Sequence, residues 1–185
     1  MVTPDEVDML RTEIEAIMSR EDPGLKEHTK RNMRTAGRFV SSFNMWESRP
    51  LLAEFTRTSR LPELAADLMG ADKINLLFDQ SFVKEPGTVD ATPWHSDQPY
   101  WPILGKQVIT IWIALDRVTK DSGAVEFVAG SNTWDRWFQA SSFSGENELS
   151  RNERFEEMPD IDANRDRYDI VSWDLDPVTF WHSRP

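Results

Sequence analysis

Residues 107–115 (Gln-Val-Ile-Thr-Ile-Trp-Ile-Ala-Leu) limit the possible folds more than any other part of the chain. Successive side chains of a strand point to opposite faces. Here Val108, Thr110, Trp112 and Ala114 fall on one face and Ile109, Ile111, Ile113 and Leu115 on the other. Both faces are largely apolar. Such a strand has to be covered on both sides, so it predicts a layered or closed β core rather than a surface sheet.

The remaining elements are arranged around that strand in a definite order. At the N-terminus Thr3 suits an N-cap, Pro4 the first helical position and Glu6 the partner residue of a capping box. Val7, Leu10, Ile14, Ile17 and Met18 then share one helical face, and Asp22-Pro23-Gly24 ends the pattern. A shorter helix is predicted over 50–55. Another is predicted over 61–69, capped by Ser59 and closed by Gly70. From about residue 73 the pattern changes to strands: 74–83, with Leu76, Phe78 and Phe82 in partial alternation, then 107–115, 125–128, 170–173 and 178–181. Helices first and strands later predict an α+β fold with a mainly β core. The chain reads as one domain, 1–185, mainly helical over 1–72 and mainly β over 73–185. A polar insertion runs from about 141 to 167, long enough to be a lid or a solvated loop.

Composition narrows the chemistry. The 185 residues suit one domain with a real core. A net charge of −11 repels phosphate backbones, so nucleic acid is not an expected partner. The absence of cysteine excludes a disulfide scaffold, a thiolate metal site and a cysteine nucleophile. Any metal has to be held by His, Asp or Glu. No secretory signal or membrane-length apolar run is legible, so the expectation is a soluble, cytoplasmic protein with a small-molecule partner and no protein partner.

The chemistry concentrates in residues 92–102, Thr-Pro-Trp-His-Ser-Asp-Gln-Pro-Tyr-Trp-Pro. His95 and Asp97 stand two apart, a spacing that puts both side chains on one face of a strand or strand end. An imidazole and a carboxylate so placed can grip one ion, two thirds of the two-histidine, one-carboxylate triad that leaves half of an iron's coordination sphere open. The same pair also suits a simple histidine–carboxylate hydrogen bond at a strand end.

Around that pair stand Phe82-Val83-Lys84-Glu85-Pro86-Gly87 upstream, and Trp112-Ile113-Ala114-Leu115-Asp116, Asp121-Ser122-Gly123-Ala124-Val125 and Ala129-Gly130-Ser131-Asn132 downstream. In this order and spacing they resemble the phytanoyl-CoA dioxygenase family of iron- and 2-oxoglutarate-dependent oxygenases. The resemblance is densest from about Leu76 to Ser131 and looser back to Val7 and forward to Trp173. It implies a double-stranded β-helix, a cupin-like jelly roll with the N-terminal helices packed outside. It also implies Fe(II) as cofactor, with 2-oxoglutarate and dioxygen as co-substrates and hydroxylation of a small organic molecule as the reaction.

Residue by residue, the resemblance assigns His95 and Asp97 as metal ligands. Lys84 matches a lysine that helps hold the 2-oxoglutarate carboxylate, and is otherwise a surface lysine at a strand end. Trp112 matches a tryptophan near the co-substrate, and is otherwise core. Gln98, Tyr100 and Trp101 either line the substrate mouth or cover the end of the barrel. Asp116, Asp121 and Gly123 suit a turn. The family's distal histidine falls on a late strand, where His182 stands; His28 lies too early. His182 is either that ligand or its upstream neighbour. The lead-in Trp173-Asp174-Leu175-Asp176-Pro177 matches, but the usual Gly-Asp after the proline is missing and Val178 follows directly. The family arginine that anchors 2-oxoglutarate is not matched by Arg184, so a barrel lacking its final strand is expected. The alternative function is a truncated, non-catalytic jelly-roll relative that binds a small molecule. A zinc hydrolase with the same ligands is a third reading, and the oxygenase-like surroundings argue against it.

Overall fold

The computed structural model describes residues 2–18, 37–88, 91–103, 105–141 and 151–177, together with the backbone of 26–27 and 180–183. The first helix, α1 (Pro4–Met18), starts where its local chemistry dictates. The Glu6 amide donates to Thr3 Oγ1 at 3.2 Å, and the Thr3 amide donates to Glu6 Oε2 at 2.7 Å. This reciprocal pair satisfies amides that a helix start otherwise leaves without partners. Thr3→Ala is expected to cost about 1 kcal/mol of stability, measured by urea denaturation, with Thr3→Ser restoring most of it.

The apolar face of α1 is the one the spacing predicts. Val7, Leu10 and Ile17 are buried, and they join Val2, Met45, Leu52 and Phe55 in one cluster. Leu52 and Phe55 come from α2 (Pro50–Thr58), which runs three residues beyond the predicted 50–55. α3 (Leu61–Met69) has the predicted bounds and ends at Gly70 in the left-handed region, φ 60°. Its cap differs from expectation. Arg60 occupies the N-cap, and Ser59 accepts only a long bond of 3.4 Å from the Leu61 amide.

The strands are shorter than the apolar pattern implies. A three-stranded antiparallel sheet joins β1 (Lys26–Glu27), β2 (Phe39–Phe43) and β3 (Gln80–Lys84) in that order. The predicted strand at 74–83 is therefore limited to its last four residues and runs one residue further, to Lys84. Leu76 and Leu77 precede β3 as exposed, irregular chain, because β2 has only five residues to pair with. β4 (Thr110–Ile113) is the middle of the predicted 107–115, and each of its residues is half-buried rather than buried on both faces. Among the described residues its one strand partner is β7 (Phe180–Ser183), so the coverage is incomplete. β5 (Phe127–Val128) pairs with β6 (Ile170–Val171). All three sheets are small, and the described fold is a mixture of helix and strand. Among the described residues no helix is long and apolar enough to cross a membrane.

Two long-range ties fix the layers. Arg11 of α1 donates to the Leu115 carbonyl and reaches Asp116 Oδ1 at 2.9 Å, docking the helix on the end of β4. Ile113 and Leu115 pack against the helical cluster. β2 is held to β3 at its start by close backbone approach. A Cβ on Gly37 would lie 2.5 Å from the Pro86 carbonyl oxygen and 2.6 Å from that of Glu85. Only glycine permits that contact.

Candidate metal centre

The segment carrying His95 and Asp97 is not a strand. Residues 91–96 are irregular and lead into a 3-10 turn, Gln98–Tyr100, for which Asp97 is the N-cap. The strand alternation expected of the pair is thus replaced by a turn. His95 Nε2 and Asp97 Oδ1 nevertheless lie 3.4 Å apart. That is within the ~5 Å that two bonds of about 2 Å to one ion can span.

Several neighbours orient the two groups. His95 Nδ1 lies 2.8 Å from the Pro93 carbonyl, an acceptor, so Nδ1 carries a hydrogen and Nε2 is the nitrogen that faces Asp97. A ligating histidine is ordinarily held in this way through its second ring nitrogen. Asp97 is at a position where a carboxylate normally caps the turn, yet it makes no side-chain cap bond. Its Oδ2 instead accepts a long bond of 3.4 Å from the Thr110 hydroxyl on β4, leaving Oδ1 for the imidazole. The Tyr100 ring meets His95 edge-on, with centroids 5.8 Å apart. Burial lowers the His95 pKa, but the hydrogen bonds to Asp97 and Pro93 and the charge of Asp97 outweigh it. The net direction is above the usual value of 6.5. A metal bound here displaces the proton that Nε2 otherwise shares with Asp97, so affinity for a divalent ion rises with pH through this range.

The loop is braced from outside by residues that carry no motif of their own. Trp94 donates its indole N–H to Asp162 Oδ1 at 2.9 Å. Asp162 opens the 3-10 segment Asp162–Arg167, inside the predicted polar insertion. Arg165 of the same segment forks onto Glu126, with nitrogen–oxygen distances of 2.7 and 3.1 Å, and its guanidinium stands 6.0 Å from the Trp94 ring. The described half of the insertion therefore packs beside the His95 loop. Hydrogen bonding to Arg165 lowers the Glu126 pKa, burial raises it and Lys120 lowers it further, for a net depression. A depressed carboxyl contributes stability that is present above its unfolded value and lost as pH falls through the folded one. Glu126→Gln is accordingly expected to destabilise the protein at neutral pH. Thermal melts of the two proteins should converge as the pH is lowered below the ordinary carboxylate range.

The other predicted residues are distributed as follows. Lys84 ends β3 with its ammonium 3.5 Å from the Thr92 hydroxyl, at the start of the His95 run, and 4.7 Å from the Phe39 ring centroid. Gln98 is buried and Tyr100 half-buried, and the Tyr100 hydroxyl donates to the Ser141 carbonyl at 2.7 Å. Trp101 lines a cleft with Gln98. Trp112 lies two residues beyond Thr110 on β4 and lines a small hollow of about 10 Å³ with Val125, Phe127, Trp173 and Leu175, a packing environment. His182 sits on β7 opposite Ile111, one position away from the partner of Thr110, which is Ser183. The His182 ring, and all of His28, Val178 and Arg184, lie outside the described residues. Among the described side chains no third His, Asp or Glu completes a cluster with His95 and Asp97. Gly123 and Gly130 adopt φ of 104° and 75°, the left-handed conformation a turn there requires.

A neutral imidazole nitrogen and a carboxylate oxygen, pre-aimed and 3.4 Å apart, fit a borderline or hard divalent ion such as Fe(II). The sequence model of the family described as Phytanoyl-CoA dioxygenase (PhyH) matches residues 1–184. No curated protein matches the chain, and no solved structure does.

Proposed function

Since the chain belongs to the phytanoyl-CoA dioxygenase family, we propose that it is a non-haem iron(II)- and 2-oxoglutarate-dependent dioxygenase that hydroxylates a small organic substrate. The observation that carries this reading is the convergence of His95 Nε2 and Asp97 Oδ1 at 3.4 Å, with the imidazole tautomer fixed by Pro93. In this reading the fold is a single double-stranded β-helix domain with the helices outside.

Iron(II) in such a site supplies hydroxylation by dioxygen coupled to oxidative decarboxylation of 2-oxoglutarate. The chain's own part is orientation. His95 and Asp97 hold the ion, and His182 is proposed as the third ligand. The Pro93 carbonyl keeps the hydrogen on Nδ1, and Thr110 restrains the second carboxylate oxygen of Asp97. Lys84 is proposed to bind a carboxylate of the co-substrate by charge, and Trp112 to wall the co-substrate side. Tyr100 stays a neutral hydroxyl: burial and the Asp97 charge raise its pKa, against a lowering by the Ser141 amide N–H, which donates to the phenol oxygen at 2.8 Å. The residues directly after Asp97, namely Gln98, Tyr100 and Trp101, are assigned to the substrate side.

An anaerobic titration tests the reading. Adding Fe(II) and 2-oxoglutarate to the chain should produce the visible metal-to-ligand charge-transfer band of the chelated co-substrate. Substituting His95→Ala should remove it. A folded protein that gives no band with both additions overturns the assignment.

A further inference from the structure

A cleft of about 270 Å³ opens next to the turn that carries Asp97. Gln98 and Trp101 form one wall; Trp137, Gln139, Asn152 and Phe155 form the other. None of the described residues lining it is charged, in a chain whose net charge is −11. The far wall is a built surface. Trp137 and Phe155 stack at 5.5 Å with 27° between their planes. Both ends of the Gln139 amide are engaged: Nε2 donates to the Asn152 and Phe155 carbonyls at 2.7 and 2.8 Å, and Oε1 accepts from the Asn152 amide at 3.1 Å.

Gln98 is different. It is only 7 % exposed, and its Nε2 donates to the Ile103 carbonyl at 2.6 Å. That bond fixes which end of the amide is which, since only the nitrogen can donate. Its Oε1 accepts no hydrogen bond from any described residue. Among the described residues Trp46 Nε1 is the one fully buried side-chain polar atom without a partner, so Gln98 Oε1 is reached by solvent, and a ligand N–H or O–H can replace water as its donor. The volume of about 270 Å³ leaves room for a ligand the size of two fused rings.

We infer that this cleft binds an uncharged, planar aromatic molecule bearing an N–H or O–H, and that Gln98 Oε1 is the acceptor that selects for that donor. The inference rests on the oxygenase reading only for calling this molecule the substrate; the binding itself involves no metal. Flat aromatic walls select the ring, the uncharged lining rejects carboxylates, and the fixed carbonyl rejects ligands with only acceptors. Sites built to hydrogen-bond a ligand donor discriminate strongly against isosteres that lack it.

The test is calorimetric titration of the full chain, without metal, using three probes. Indole should bind saturably. Benzofuran, which has the same shape with an oxygen in place of the N–H, should bind at least about tenfold more weakly. Indole-5-carboxylate, which keeps the donor and adds a charge, should also bind at least about tenfold more weakly. In Gln98→Leu the preference for indole over benzofuran should vanish. Equal binding of indole and benzofuran by the native chain overturns the inference, as does the absence of saturable indole binding. Neither comparison depends on the variant folding. If indole is preferred as described but no charge-transfer band forms with Fe(II) and 2-oxoglutarate, the cleft assignment stands and the oxygenase reading falls. A band without any preference for indole upholds the oxygenase reading and overturns the cleft assignment.

Discussion

Asp97→Ala is expected to abolish iron-dependent turnover of 2-oxoglutarate while leaving the fold in place. The carboxylate is more than a third exposed and makes no cap bond to its own turn, so its removal opens no core cavity. What it removes is the anionic member of the proposed ligand set. Imidazole donors alone would hold Fe(II) weakly and leave its charge poorly balanced. Succinate release should fall to the background of the metal-free protein, while the circular dichroism spectrum and melting temperature stay close to those of the native chain. A variant that retains native turnover, or one that unfolds, contradicts the ligand role. Thr110→Val should behave differently. It removes a long 3.4 Å bond to Oδ2 and should loosen metal affinity rather than eliminate it.

The largest expected effect on stability comes from a residue with no side chain. In Gly37→Ala the new methyl carbon would sit 2.5 Å from the Pro86 carbonyl oxygen, 2.6 Å from the Glu85 carbonyl oxygen and 2.9 Å from its carbon. All three are backbone atoms, so no side-chain rotation relieves the clash, and the entry to β2 must separate from the exit of β3. Overpacking of this kind costs about 3 kcal/mol or more when backbone has to move. The displaced segment follows Lys84 directly, so the damage extends to the strand end proposed to meet the co-substrate. Urea denaturation should show a clear drop in midpoint with little change in slope. A midpoint within error of the native one contradicts the contact.

The contrast between legible and illegible features has a physical pattern. The start of α1 is legible because a capping box is written in four consecutive residues, Thr3 to Glu6. The end of α3 is legible because Gly70 supplies a conformation other residues avoid. β2 is not. Its Ser41 and Ser42 are buried at 1 % and 2 % exposure, so neither its composition nor its alternation advertises a strand. Its place is set by pairing with β3, some forty positions later. The His95–Asp97 pair is legible as a motif, but strand alternation does not explain its geometry: a turn brings the groups together. Thr110 and Asp162 leave no signal at all, because each reaches the site across a long stretch of chain. The half-burial of β4 is also hidden, since an apolar pattern reports what a strand tolerates rather than how much neighbouring structure covers it.

The missing cap at Asp97 has a consequence for how this sequence can change. A carboxylate at the head of a turn ordinarily adds about 1 kcal/mol by closing on the amides below it. Here the same group faces His95 and Thr110 instead. Selection for a sturdier turn and selection for the site therefore pull one side chain in opposite directions. Drift or directed evolution under heat alone should favour Ser or Asn at this position, each able to close on the turn and poor as an anionic ligand. Stability would then rise as the site decays, the trade expected where one residue serves two demands.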